Sequence, residues 1–328
     1  MASSEVRPSS CGRHLASGRD DLVPNDVLLH NNGIMRAVDQ IAKGAGRLGL
    51  PLYSCASSKR TYTQHQLLVL LVVREMLAKS YRETVVLVAL MTPLLRRLRL
   101  ATVPHFTTLQ KFAIRLEPHV LDGLLATLAS SVTSGRVDAV IDSTGMQPGI
   151  ASYYYIRTMS LRRDSDGTEL RAVRRHIKLT LVADARTLAI LAMCATQGPD
   201  SDFQHLRPTV SKAIEHGATI VTIIGDKGYD SEANRRFVVH ELGAEAYIPL
   251  RKTHKKAENS QGFYRRRQLR VFDEALYHRR ALVETVNSMF KRLSAVVRSR
   301  GERGQANELA LRAVAHNARR AATLAHEG

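Results

Sequence analysis

The chain has no tryptophan, and aromatic residues make up only 5% of it. That scarcity disfavours a platform on which the unstacked bases of a single strand would lie. Cysteine is scarce as well: Cys11, Cys55 and Cys194 are scattered, without paired spacing. They make neither a disulfide framework nor a zinc site, and they fit a reducing cytoplasm. Apolar runs such as residues 67–73 and 85–90 fall well short of the roughly 18 residues a spanning helix needs, so no membrane segment is expected. The first 25 residues are polar, with no apolar centre, and carry no readable secretory signal. Also missing are a phosphate-cradling glycine loop of the Walker kind and His and Cys at zinc spacing, and the strand acids Asp138 and Asp142 are four apart rather than the two that an Asp-nucleophile phosphate-transfer hydrolase needs. No internal repeat is visible. Acidic residues are few, 30 against 48 Lys plus Arg, for a formal net charge of +18. That excess points to a polyanionic partner, nucleic acid before an anionic membrane.

What is present divides into three parts. Residues 1–25 are rich in Ser, Gly and Arg and read as a disordered tail. Residues 26–135 read as an all-α domain, with helices at 64–79 and 83–98 and Pro93 breaking the second. After Pro104, Thr107 or Thr108 can cap a helix that exposes Gln110, Lys111 and Arg115. Such a helix would suit a helix-turn-helix reading a DNA groove, or simply a helical bundle. From Arg136 the pattern changes to short β-branched runs at 137–141, 176–183 and 187–195. A helix at 202–216, a strand at 219–224, a helix at 231–242, a strand at 246–250 and one long helix at about 275–298 follow. Residues 136–328 are therefore expected to form an α/β layer fold, a mixed sheet flanked by helices.

Three acids stand out. Asp142 follows Val140-Ile141 and Asp226 follows Ile223-Ile224-Gly225, each read as the end of a strand. In open α/β sheets ligands gather at the carboxyl edge of the strands. On a helix, Tyr277, Arg280, Glu284, Asn287 and Lys291 share one narrow stripe, while Leu282, Val283, Val286 and Phe290 turn elsewhere. Each feature has a plainer reading: a turn-forming Asp, or a solvated helix face with an ordinary Arg280–Glu284 pair. Together, three carboxylates meeting at one point would repel unless a cation sat among them, and hard oxygen ligands select Mg²⁺ or Mn²⁺. Two such ions can drive an in-line displacement at phosphorus. The basic stretch 251–270, read as a nearly structureless loop, carries Lys255, Lys256, Arg265, Arg266 and Arg267 for phosphate contact.

The residues Val140-Ile141-Asp142-Ser143-Thr144, Gly225-Asp226-Lys227-Gly228-Tyr229-Asp230-Ser231 and the Tyr-x2-Arg-x3-Glu-x6-Lys spacing of Tyr277, Arg280, Glu284 and Lys291 resemble DDE transposases of bacterial and archaeal insertion sequences. The likeness is closest to the insertion sequence group five type and runs from about Val137 to the C-terminus. It implies a ribonuclease H-like fold with Asp142, Asp226 and Glu284 as a catalytic, metal-binding triad holding two Mg²⁺ or Mn²⁺ ions. It implies DNA contacts by Tyr277, Arg280 and Lys291, with Lys227 near the phosphates. His176 and Lys178 lie where similar proteins carry a His or Lys before a Val-Asp pair. Gly198-Pro199-Asp200-Ser201 resembles a Gly-x-x-His-Asp-Ser turn of the family, shortened and without its His. The expected partners are double-stranded DNA, as inverted-repeat ends and target, and a second copy in a synaptic complex. A cytoplasmic, nucleoid-associated protein is implied. No inserted β-domain is expected between Asp226 and Glu284. The rival readings are a DNA-binding regulator without catalysis, and a related nuclease that never joins strands.

Overall fold

A computed structural model describes residues 33–149, 176–198, 200–251, 262–271 and 273–327. The expected tail at 1–25, Lys255 and Lys256 lie outside the described residues. Among the described residues, six helices come first: α1 (Gly33–Arg47), α2 (Gln64–Leu77), α3 (Tyr81–Leu90), α4 (Thr92–Arg97), α5 (Phe106–Arg115) and α6 (Pro118–Ser130). Local chemistry sets several of their ends. Thr63 with Gln66, and Ser80 with Glu83, form reciprocal capping boxes at the starts of α2 and α3. Ala78 ends α2 in the left-handed conformation. Pro93 falls in the first turn of α4, so the region read as one helix is two. The expected threonine cap of α5 is not formed: His105 holds the N-cap position, and Thr107 hydrogen-bonds the His105 ring at 2.8 Å.

The second half contains β1 (Arg136–Pro148), β2 (Ile177–Asp184), β3 (Ile190–Gln197), α7 (Phe203–Glu215), β4 (Thr219–Gly225), α8 (Glu232–Arg236), β5 (Glu245–Tyr247), α9 (Phe263–Val271), α10 (Glu274–His278), α11 (Ala281–Leu293), β6 (Val296–Val297) and α12 (Glu302–Glu327). The sheet runs in the order β3-β2-β1-β4-β5. Strands β1, β2 and β3 are antiparallel neighbours, β4 and β5 continue in parallel, and β6 pairs with the end of β1. This mixed sheet flanked by helices is compatible with a ribonuclease H-like fold. Among the described residues between Asp226 and Glu284, β5 is the only strand. Part of the stretch read as a structureless basic loop is helical, as α9. The long helix expected at 275–298 is instead α10, a tight turn, α11 and β6.

Side chains alternate across the strands, so the sheet has two buried faces. Ala139, Ile141 and Val182 pack with Leu206 and Val210 of α7 on one. Val140, Leu179, Leu181 and Ile224 meet Val283, Val286 and Phe290 of α11 on the other. That second cluster is continuous with the core of the helical half, because α12 packs on α1, α2 and α6. Ten consecutive residues of α2, Leu67 to Met76, are buried, so this helix is enclosed on all sides. Its two charges are paired: Glu75 bridges Arg74 and Arg312 of α12, and Arg312 also reaches Glu308. Arg74 lies under the Tyr81 ring, its guanidinium carbon 4.2 Å from the centroid.

Candidate active site

Asp142 lies within β1, not at its end as the sequence suggested. The strand continues because residues 143–146 pair with β2 and residues 147–148 pair with β6. It is the parallel neighbour β4 that ends there. Ile141 is the register partner of Gly225, the last residue of β4, so Asp142 and Asp226 stand on adjacent strands at the carboxyl edge of the parallel pairing. Asp226 opens a short 3₁₀ turn, Lys227–Tyr229, its carboxylate accepting from the Lys227 amide at 2.6 Å. Lys227 itself is exposed.

Helix α11 and the turn that precedes it run along β1. Arg279 donates to Asp138 at 2.6 Å and Asn287 donates to Asp142 at 2.8 Å. Four strand residues span about 13 Å and eight helical residues about 12 Å, so the two contacts keep step. Between them Val283 and Val286 press on Val140 within one core cluster. The helix is not continuous. Around Arg279 and Arg280 the backbone tightens to three-residue hydrogen bonds, Arg280 to Tyr277, Leu282 to Arg279 and Val283 to Arg280. The tight turn sits beside the Arg279–Asp138 anchor, and it bends the single stripe expected for Tyr277 to Lys291.

Burial holds the Asp142 carboxyl above its usual range. The Ser143 backbone and Arg280 oppose this, while Asp226 and Asp202 add to it. Burial likewise raises the Tyr277 phenol, which feels Arg280, Asp226 and Glu284. Asp142, Asp226, Arg280, Tyr277 and Glu284 therefore share one electrostatic neighbourhood. Glu284 is bound to Arg280 at 2.7 Å with its side chain 58% exposed. Among the described residues, no three His, Cys, Asp or Glu side chains are grouped closely enough to hold a metal ion. Glu284, Asn287, Ser288, Lys291 and Arg292 line an open depression.

Of the basic residues, Arg266 and Arg267 are exposed. Arg265 turns inward to the buried Asp230 at 2.6 Å, while Arg235 and the Arg251 amide hold the same carboxylate. Glu232 accepts from the amides of Tyr264 and Arg265, capping α9. The basic helix is thus moored to the loop that follows Asp226.

Of three further residues beside the acids, Asn287 and Lys178 were noted in the sequence without an assigned task and Asp202 was not noted at all. Asn287 shared the stripe, yet an amide has no charge to mark it. Lys178 is buried on β2 and pairs with Asp202 at 2.7 Å. Asp202 precedes α7 and nothing in its local pattern distinguishes it from an ordinary N-terminal residue.

Asp142 and Asp226 offer hard carboxylate oxygens on neighbouring strands, and Asn287 Oδ1 is buried without a hydrogen-bond partner. A hard cation such as Mg²⁺ or Mn²⁺ matches that set.

No curated protein and no solved structure matches the chain. A family model described as "Transposase DDE domain" matches residues 134–318, more than half of the chain. Its span takes in the whole sheet, all three acids and most of α12, and the chain belongs to the DDE transposase family.

Proposed function

We propose that this chain is a metal-dependent transposase of an insertion sequence. It binds the terminal inverted repeats, cuts the strands there and joins the freed 3′ ends to target DNA. The observation that carries the reading is the juxtaposition of Asp142 and Asp226 on adjacent strands, with Asn287, one turn beyond Glu284, bonded to Asp142. Asp142 and Asp226 would hold Mg²⁺ or Mn²⁺, with Glu284 completing the set once it leaves Arg280. The bound ions would supply Lewis-acid activation of the attacking oxygen and stabilisation of the leaving one.

The chain's own residues have distinct tasks. Asn287 orients the Asp142 carboxylate through its amide. The Arg280–Glu284 pair is exposed and weak, so DNA phosphate can take Arg280 and release Glu284 toward the aspartates. Tyr277, Lys227 and Lys291 contact the cleaved strand. Arg266 and Arg267 meet backbone phosphates further out, together with Lys255 and Lys256, whereas Arg265 acts inside the fold. A second copy of the chain pairs the two ends in a synaptic complex.

Asp142→Ala, Asp226→Ala and Glu284→Ala should each abolish Mg²⁺- or Mn²⁺-dependent nicking of end-containing DNA while leaving DNA affinity close to that of the unsubstituted chain. Cutting retained by any one of the three would overturn the assignment of that residue. Joined products distinguish a transposase from a nuclease that only hydrolyses.

A further inference from the structure

The turn that carries Asp226 is gripped from two sides against the strand that carries Asp142. On the inner side, Tyr229 is fully buried and its hydroxyl meets Ser143 Oγ at 2.7 Å. Ser143 directly follows Asp142 and shares a 2.8 Å hydrogen bond with Thr180 on β2. Burial pushes the Tyr229 phenol far above its usual range, so this chain of hydroxyls stays neutral. On the outer side, Asp202 lies against Gly228. A Cβ at Gly228 would stand 2.6 Å from Asp202 Oδ2, so the carboxylate reaches the turn only because the residue is glycine. Asp202 is itself held by Lys178, whose Nζ also donates to the Asp200 carbonyl. Lys178 is only 5% exposed, and an ammonium that deep needs its carboxylate partner.

Two carboxylates on neighbouring strands repel, and a three-residue turn has little stiffness of its own. We propose that Tyr229 and the Lys178–Asp202 pair are positioning residues, a two-sided brace that fixes the spacing of Asp142 and Asp226. The inference rests on the reading of those two aspartates as the ion-binding pair. The bracing side chains act through the turn.

Two variants probe the brace with little risk to the fold. Tyr229→Phe removes one oxygen and leaves Ser143 bonded to Thr180. Gly228→Ala displaces the Asp202 carboxylate while leaving Lys178 its partner, and the backbone at Gly228 lies outside the left-handed region. With the full chain, the measurements are nicking against Mg²⁺ concentration, affinity for end-containing DNA, Tm without metal, and the rise in Tm on adding Mn²⁺. Residues that support metal ligands typically change metal affinity about 10–100-fold when altered, so the Mg²⁺ needed for half-maximal nicking should rise about tenfold or more in each variant. The Mn²⁺-induced rise in Tm should shrink, with DNA affinity retained. Unchanged Mg²⁺ dependence and an unchanged Mn²⁺ effect would overturn the brace, as would a defect confined to DNA affinity. Asp142→Ala runs in parallel: if it still cuts, the ion-binding reading fails and the brace with it. If Asp142→Ala is inactive and both brace variants behave as the unsubstituted chain, the brace alone fails.

Discussion

Asn287→Ala offers a sharp test of how the helix of Glu284 is coupled to Asp142. The substitution removes a 2.8 Å hydrogen bond from a half-buried carboxylate and deletes an amide that is only 8% exposed. Hydrogen bonds to charged groups contribute about 1.5–3 kcal/mol. At about 1.4 kcal/mol per factor of ten, losing that orientation should weaken metal-dependent nicking roughly 10–100-fold. Global stability should move much less. Alanine is favoured over asparagine inside a helix by up to about 0.7 kcal/mol, which offsets part of the missing hydrogen bond. The variant should therefore keep a Tm within a few degrees while its Mg²⁺ requirement climbs.

The pH profile gives a second readout. Burial already holds the Asp142 carboxyl above its usual range, and a donor to the ionised form opposes that rise. Without the Asn287 amide the carboxyl should titrate higher still, so the acid limb of nicking should move to higher pH. For stability the sign is reversed. A folded-state pKa above the unfolded one gives a contribution present at low pH and lost as pH rises through the raised value. Wild-type Mg²⁺ dependence together with an unmoved acid limb in Asn287→Ala would reduce the bond to simple packing.

Two further predictions concern charge elsewhere in the fold. Because Arg266 and Arg267 are exposed, replacing each with Gln should lessen the slope of log affinity against log salt by about 0.9 for every phosphate that is no longer neutralised. An unchanged slope, measured by fluorescence anisotropy over a salt series, would mean that these side chains are only solvated. In the helical half, Glu75→Ala would leave Arg74 and Arg312 buried without their shared carboxylate. Breaking one partner of a buried pair costs about 3–5 kcal/mol, so the denaturant midpoint should fall sharply. A midpoint within error of the unsubstituted chain would refute the role of Glu75 in joining α2 to α12.

Much of the fold was legible because its signals are short-range. The β-branched runs around Val140 and Ile224 and the apolar side of α11 report propensities and periods a few residues long. The same locality explains the misreadings. Residues 143–148 are mostly small and polar, and they stay in β1 only because β2 and β6 supply pairing from distant sequence. The turn at Arg279 and Arg280 breaks a convincing helical stripe beside an anchor on Asp138, 141 residues away. Arg265 looks like its exposed neighbours until Asp230, 35 residues upstream, takes it inward.

By itself, then, the sequence determined the chemical inventory: which acids, which cations, and the helical or extended habit of the segments that bear them. Only the tertiary structure decided that Asp142 adjoins Asp226, that Asn287 rather than Glu284 contacts Asp142, and that Asp202 presses on Gly228. The reason is topological. Propensity and periodicity act over a turn or a strand, whereas each of these meetings depends on how the chain returns across the sheet.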